Sequence, residues 1–308
     1  MQRKSPVSLF LLLIASTSCT GIIFGEPEKV PNRLRSAYQE DARIAVTWLG
    51  HATMLVQMDD RFILTDPLLE NSAGQVARRL QEPGIAPENL PSLDLVVISH
   101  MHTDHLSLGS LKQIASKVRH LFMPRGGLVY LPNYRFAADE LGTWESAEIT
   151  GLRVTAVPIK HGGYRYGVDA AWMTESATGY VFEYNGLSVY FAGDTAYDQA
   201  RFRQTAERFP RLDLAMLPIG PIRPRWFMES MHVDPAEALQ AFVDLGARTM
   251  VPMHYETLVS GFDAKGEARE TLAREARSRN LASRVIMLPV GGQAIIVPSL
   301  VQRTASSN

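Results

Sequence analysis

Short apolar runs recur along most of the chain, and many of them end on Gly, Asp or His. Ile44 to Leu49 alternates like a strand and ends in Gly50-His51-Ala52-Thr53. Met54 to Met58 and Arg61 to Thr65 read as a hairpin joined at Asp59-Asp60, and the second strand ends in Asp66-Pro67. Residues 68 to 91 lack a clear period, which predicts a loop with a short helix around Val76 to Leu80. Leu93 to Ile98 is a buried strand that runs into Ser99-His100-Met101-His102-Thr103-Asp104-His105. Ser107 to Val118 has helical spacing, a strand covers 119 to 123, and 124 to 150 is irregular.

The second half repeats the pattern. Leu152 to Val157 is a strand leading to His161. Gly179 to Tyr184 and Leu187 to Ala192 form a hairpin across Asn185-Gly186, and the second strand reaches Asp194. A helix near 198 to 208 precedes a strand at 213 to 217. Asp234-Pro235-Ala236-Glu237 is a helix start, with Asp as cap, Pro first and Glu third, and Gly246 closes that helix. The strand Thr249 to Met253 delivers His254. A charged helix over Glu267 to Arg279 and strands near 284 to 288 and 293 to 297 complete the chain. Residues 43 to 300 therefore read as one α/β domain whose hairpins are too frequent for a purely parallel sheet.

The ends of the chain read differently. Arg3 and Lys4, then the apolar Val7 to Ile14 and the small residues Ala15-Ser16-Thr17-Ser18, make 1–19 an export signal too short to span a bilayer. The chain's one cysteine, Cys19, falls where a bacterial lipoprotein signal places its lipidated Cys, although Ser16 replaces the usual Leu. This predicts an exported cell-envelope protein, lipid-anchored at Cys19 and close to a membrane surface, with an ordinary cleaved signal and an incidental Cys as the alternative. Residues 20–42 are a tether or N-terminal arm.

Composition narrows the chemistry. Lys+Arg 31 against Asp+Glu 32 leaves no basic excess for a nucleic-acid partner. A single cysteine excludes a disulfide framework and a Cys-based zinc site, so any metal must be held by His and carboxylate. The 308-residue chain has 8 His, and three of them crowd into His100–His105. With Asp104 they offer N and O ligands suited to zinc. His161, Asp194 and His254 also follow strands, and loops at one sheet edge converge. These seven residues are enough for two metal ions sharing a carboxylate.

His100-Met101-His102-Thr103-Asp104-His105 resembles the HxHxDH motif of the metallo-β-lactamase-fold hydrolases. Further segments resemble the branch of N-acyl-phosphatidylethanolamine-hydrolysing phospholipase D: Trp48 to Thr53, Ile63 to Pro67, Phe191 to Thr195, Pro218 to Gly220, Pro224 to Met228 and His232 to Pro235. One position departs, since Gly162 follows His161 where that branch has Trp. The resemblance implies a four-layer αββα sandwich. It implies one ion on His100, His102 and His161, a second on Asp104, His105 and His254, and Asp194 bridging, with zinc the expected metal. A bridging water with a pKa of about 7 would then attack phosphorus or a carbonyl carbon.

Asp104 and His232 are the expected catalytic residues, and the resemblance puts His232 in the active site. Arg223 and Arg225 offer forked donors for a phosphate, or structural salt bridges. Trp226, Phe227 and Met228 read as core by default, or as a wall for acyl chains. Asp66 reads as a carboxylate orienting a ligand His, with a turn before Pro67 as its alternative. His51 supports the site or closes a strand end. His120 reads as incidental. The expected activity is hydrolysis of a phospholipid phosphodiester. The alternatives are a lactonase or other ester hydrolase using the same metals, and a non-catalytic metal-binding envelope protein.

Overall fold

The structure is a computed structural model that describes residues 25–31, 33–74, 77–259 and 261–299. The predicted signal 1–19, with Cys19, lies outside the described residues. The chain begins with β1 (Ala42–Gly50), β2 (Thr53–Met58) and β3 (Arg61–Thr65). Next come β4 (Ser72–Ala73), β5 (Ala77–Arg78), β6 (Leu95–Val97), α1 (Leu108–Ile114) and β7 (His120–Pro124). Then follow β8 (Ala137–Leu141), β9 (Ser146–Ile149), β10 (Leu152–Val157), β11 (Gly179–Tyr184) and β12 (Leu187–Phe191). The last part holds α2 (Gln199–Arg208), β13 (Leu214–Pro218), α3 (Arg225–Met228) and α4 (Pro235–Leu245). β14 (Thr249–Met253), α5 (Glu267–Ser278) and β15 (Gln293–Pro298) close the fold.

The strands form two large sheets, ordered β15-β1-β2-β3-β6-β7-β8 and β14-β13-β12-β11-β10-β9. Period-two alternation explains how they stack. On β6, Leu95 and Val97 join the main core between the sheets, while Val96, and Ile98 just past the strand, belong to a second cluster with Leu111 and Ile114 of α1. On β2, Met54 and Val56 face the first core and Leu55 the second. Beyond the other sheet, Phe202 of α2, Leu239 and Phe242 of α4 and Leu272 of α5 complete the main core. The layering is helix, sheet, sheet, helix. The parallel pairs β6/β7, β12/β13 and β13/β14 each enclose a crossover helix, while the parallel pairs β3/β6 and β7/β8 cross over through loops.

Local signals explain several boundaries. Asn185 (φ 49°) and Gly186 (φ 75°) make the two-residue turn between β11 and β12. Asp234 Oδ1 accepts from Ala236 N and Glu237 N, both at 2.9 Å, and Glu237 Oε2 accepts from Asp234 N. That capping box opens α4, and Gly246 at φ 64° ends it.

Other expectations need correction. The stretch 124 to 150 is not irregular: β8 and β9 form the outer edges of the two sheets. Their half-exposed Ala, Asp and Glu residues carry little strand propensity, so pairing alone makes them strands. No helix covers the described part of 76 to 80; β4 and β5 pair there. α1 ends at Ile114 rather than Val118. Residues 284 to 288 make one bridge, Met250 with Val285, and not a strand. From Glu28 the N-terminal arm is docked, since Glu28 N donates to Leu80 O (2.8 Å) and Leu34 N to Gly84 O (3.0 Å).

Candidate metal centre

The loops after six strands meet at one edge of the sandwich. His51 follows β1, Asp66 follows β3, the His100–His105 loop follows β6, His161 follows β10, Asp194 follows β12 and His254 follows β14. His51 (φ 55°), Asp66 (φ 35°) and His254 (φ 61°) are all left-handed, an uncommon state for residues other than Gly and one that collects at functional sites. The 99–105 loop is held from below. Tyr180 Oη donates to Ile98 O at 2.9 Å, and Asp66 accepts from Ser99 N (2.7 Å) and Ser99 Oγ (2.6 Å). Gly163 lies so close to His100 and to the Ser176 carbonyl that any Cβ there would collide with both.

Four imidazoles are anchored through the same nitrogen. His105 Nδ1 lies 2.7 Å from Asp66 Oδ2, His161 Nδ1 3.0 Å from Met231 O, and His254 Nδ1 2.9 Å from Gly220 O. Ionised carboxylate and carbonyl oxygens only accept, so these nitrogens carry the proton. His100 Nδ1 lies 2.9 Å from Ser99 Oγ, whose own hydrogen goes to Asp66. Each ring therefore presents an Nε2 lone pair to the common space, the arrangement that prepares a histidine to ligate.

Around that space the ligand atoms fall into overlapping groups, each within 4.8 Å. One is His100, His102 and His161; a second is His51, Asp104, His105 and His254. Asp194 joins His100 and His105 in a third and His232 and His254 in a fourth. Its oxygens lie 3.3 Å from His105 Nε2 and 3.0 Å from His254 Nε2. The seven ligand candidates thus come together, with Asp194 between the two larger groups.

The donor set suits divalent cations. His105 Nε2, His254 Nε2, Asp194 Oδ1 and His232 Nδ1 are buried without a hydrogen-bond partner. An unsatisfied buried polar group costs about 1–3 kcal/mol, so a cluster of them facing one another calls for a shared cationic partner. The titration behaviour agrees. Burial, followed by the neighbouring rings, holds His100 well below its ordinary range. Burial pushes His161 down to about 4 and His232 to about 3, leaving neutral rings of the kind that bind metals. Burial raises the Asp194 carboxyl, but His254 and His105 outweigh it and keep the group ionised. Burial lowers His105 and His254, but the Asp194 carboxylate more than reverses it and raises both, so positive charge is favoured beside Asp194.

The remaining candidates separate. His51 is buried, with Nε2 3.0 Å from Asp104 Oδ2 and its ring centroid 4.0 Å from that of His254. Asp66 lies behind His105, on the far side from the common space. His232 stands at the rim, its Nδ1 3.7 Å from Asp194 Oδ2. The Arg223 fork is taken by Glu267 (2.6 Å), and Arg225 holds Glu237 and the His232 carbonyl. Both guanidinium groups are engaged in ion pairs, the structural one of the two expectations. Trp226 is 80% exposed and Phe227 49%, so only Met228 of that trio is core. His120 is remote from the site and pairs with Asp139 at 2.8 Å.

Several supports escaped the sequence reading. The Gly220 and Met231 carbonyls leave no side-chain signature. Ser99 relays Asp66 to His100, and nothing in its neighbours marks it. Arg79 is fully buried and donates to the carbonyls of Leu68, Leu49 and Gln81, tying the loop after β3 to the end of β1. Its setting in a featureless loop concealed it.

A family model described as a beta-lactamase superfamily domain matches residues 61–255. The N-acyl-phosphatidylethanolamine-hydrolyzing phospholipase D 1 of Caenorhabditis elegans is 30% identical over 280 residues, 84% of this chain and 78% of that one. A UPF0173 metal-dependent hydrolase of Thermococcus onnurineus is 30% identical over 216 residues, 70% of this chain and 85% of that one. Among solved structures, Igni18, a metallo hydrolase from the archaeon Ignicoccus hospitalis, superposes with a TM-score of 0.59 over 82% of this chain and 97% of that one. At 23% identity that likeness speaks to the fold.

Proposed function

The chain belongs to the beta-lactamase superfamily as a metal-dependent hydrolase, and from that premise we propose a binuclear zinc phosphodiesterase of phospholipase D type, acting on N-acyl-phosphatidylethanolamine-like lipids. The observation that carries the hydrolase chemistry is the set of Nδ1-anchored imidazoles whose free nitrogens fall into overlapping ligand groups, His105 and His254 beside Asp194 and His161 beside His100 and His102. The likeness to the Caenorhabditis elegans phospholipase supports the substrate class, as do the aromatic side chains exposed beside the site.

In this reading His100, His102 and His161 hold one ion, Asp104, His105 and His254 the other, and Asp194 both. Two divalent ions held there supply Lewis-acid polarisation of the scissile group and a water of lowered pKa. The protein does the rest. Ser99, Asp66, Met231 O and Gly220 O keep each ring in the ligating tautomer. His51 holds Asp104 Oδ2 by its Nε2, which fixes the carboxylate beside His105. His232 is uncharged at neutral pH and meets a substrate oxygen as a hydrogen-bonding group at the rim. Arg225 grips the His232 carbonyl and so keeps that ring at the opening. Export through residues 1–19 and lipidation of Cys19 belong to the same proposal, since both would bring the enzyme to its lipid.

The test assays the purified protein on an N-acyl-phosphatidylethanolamine and on an acyl lactone in parallel, before and after chelation and zinc addition. Release of the N-acylethanolamine headgroup, lost on chelation and restored by zinc, is the expected result. Turnover of the lactone alone would make the protein a lactonase with the same metal site. Undiminished activity of stripped protein would overturn the metal mechanism, and an unchanged cellular phenotype for Asp194→Asn would point to a non-catalytic role.

A further inference from the structure

Among the described residues Arg79 is the largest fully buried side chain, and it belongs to neither ligand group. Its partners are carbonyls from three segments. Nη2 donates to Leu49 O (2.7 Å), Nη1 to Leu68 O (2.6 Å) and Nε to Gln81 O (2.6 Å). Burial, and then the nearby Arg33, push its pKa down to about 9. A buried charge costs stability that an apolar side chain of similar volume would not. The fork therefore supplies something that such a side chain cannot.

What it supplies is the turn that aims His51. Gly50 sits at φ 104° between the guanidinium and Thr257. A Cβ there would lie 2.5 Å from Arg79 Nη2 and 2.9 Å from Thr257 Cγ2, so the two side chains grip the bare backbone from either side. His51 comes next, and its main chain is held on the same framework. His51 N donates to Thr257 Oγ1 (2.9 Å), and His51 O accepts from Trp48 Nε1 (2.8 Å) and His254 N (3.0 Å). Thr257 is laced to the Arg79 segment in turn: Leu80 N donates to Thr257 O (2.7 Å), and Val259 N to Arg78 O (3.0 Å). The outcome is a left-handed His51 whose Nε2 lies 3.0 Å from Asp104 Oδ2, with the left-handed His254 hung from its carbonyl.

We propose that Arg79 is a positioning residue for one ion of the pair, the one assigned to Asp104, His105 and His254. Its fork sets the Gly50-His51 turn, and that turn places Asp104 and His254. This rests on the two-ion reading above. The other group is held by different means: His100 Nδ1 lies against Ser99 Oγ, and His161 Nδ1 against Met231 O. Asp66, two residues before Leu68, has bonds of its own, from Thr53 Oγ1 to its carbonyl and from Ser99 to its carboxylate. Loss of the Arg79 bonds therefore falls on His51 and His254. Lysine is no substitute, since one ammonium lacks the planar fork that reaches three segments at once.

The experiment measures zinc affinity by competition with a chromogenic chelator in two backgrounds of the full chain. His102→Ala leaves the Asp104, His105 and His254 group intact, and His254→Ala leaves the His100, His102 and His161 group. Arg79→Met should weaken zinc binding by about 10–100-fold in the His102→Ala protein and leave it unchanged in the His254→Ala protein. Arg79→Lys should behave like Arg79→Met. Should Arg79→Met not fold, Thr257→Val takes away only the hydroxyl that His51 N bonds, and the same one-sided loss is expected of it. Equal losses in both backgrounds, or none in either, would make Arg79 a residue of the fold alone and overturn the proposal. Full affinity in Arg79→Lys would show that charge suffices and would overturn the fork. A wild-type chain that holds a single zinc ion would sink the two-ion reading, while the paired backgrounds would still decide the role of Arg79.

Discussion

Asp66 Oδ2 and His105 Nδ1 lie 2.7 Å apart with both side chains fully buried. The carboxylate also accepts two bonds from Ser99, and so sets the tautomer of two rings, His105 directly and His100 through the serine. Asp66→Asn replaces one acceptor oxygen with an amide donor, which opposes either Ser99 or His105. Zinc affinity should fall by about 10–100-fold, read by competition with a chromogenic chelator. An unchanged affinity would mean that Asp66 only shapes the turn before Pro67.

Metal removal should destabilise the protein as well as silence it. The unpartnered His105 Nε2, His254 Nε2 and Asp194 Oδ1 share a buried space with their neighbours' rings. Zinc at 1,000 times its dissociation constant should therefore add about 4 kcal/mol to the stripped fold, seen as a higher melting temperature. Asp194→Asn should lose most of that gain. A melting temperature indifferent to zinc would contradict the ligand assignment.

His51 gives the stripped protein an acid sensitivity. Burial first, then the neighbouring His254 ring, lowers its pKa from 6.5 to about 3. A depressed histidine stabilises the fold above its unfolded pKa, and this stability is lost as pH falls toward the folded value. The window therefore runs downward from 6.5 to about 3, with a slope near 1.4 kcal/mol per pH unit for one proton. Metal-free His51→Gln should show a shallower loss of stability than metal-free wild type across that range in denaturant titrations. Parallel curves would mean that His51 does not titrate there.

The two arginines of the Pro224 turn should part company. Arg225 bonds both Glu237 and the His232 carbonyl, and its side chain is only 28% exposed. Arg225→Ala should cost about 1–3 kcal/mol of stability and raise KM by loosening the His232 turn. Arg223 pairs with Glu267 at an exposed site, where ion pairs contribute little, so Arg223→Ala should leave melting temperature and KM near wild type. Equal kinetic losses in both variants would restore them as phosphate-binding residues.

The legible part of the site was its ligand inventory. His100 to His105 advertise themselves by density, and His161, Asp194 and His254 by standing where strands end. The hairpin at Asn185-Gly186 and the cap at Asp234-Pro235 were legible because turn and cap geometries demand particular residues. β8 and β9 were hidden because weak formers become strands only when a neighbour supplies the hydrogen bonds. The default burial of Trp226 and Phe227 failed because hydrophobicity says what a side chain prefers, not whether the fold has room for it.

By itself, then, the order of residues determined the chemistry available: which nitrogens and carboxylates exist, which strands carry them, and that no cysteine competes for the metal. The tertiary structure decided what those groups can do. It turned the same nitrogen of four rings toward Ser99, Asp66, Met231 O and Gly220 O, engaged Arg223 and Arg225 in ion pairs, and left Trp226 and Phe227 exposed. The reason is physical. Residue identity is local to each position, whereas tautomer, burial and pairing are set by atoms that chain folding brings from far along the sequence.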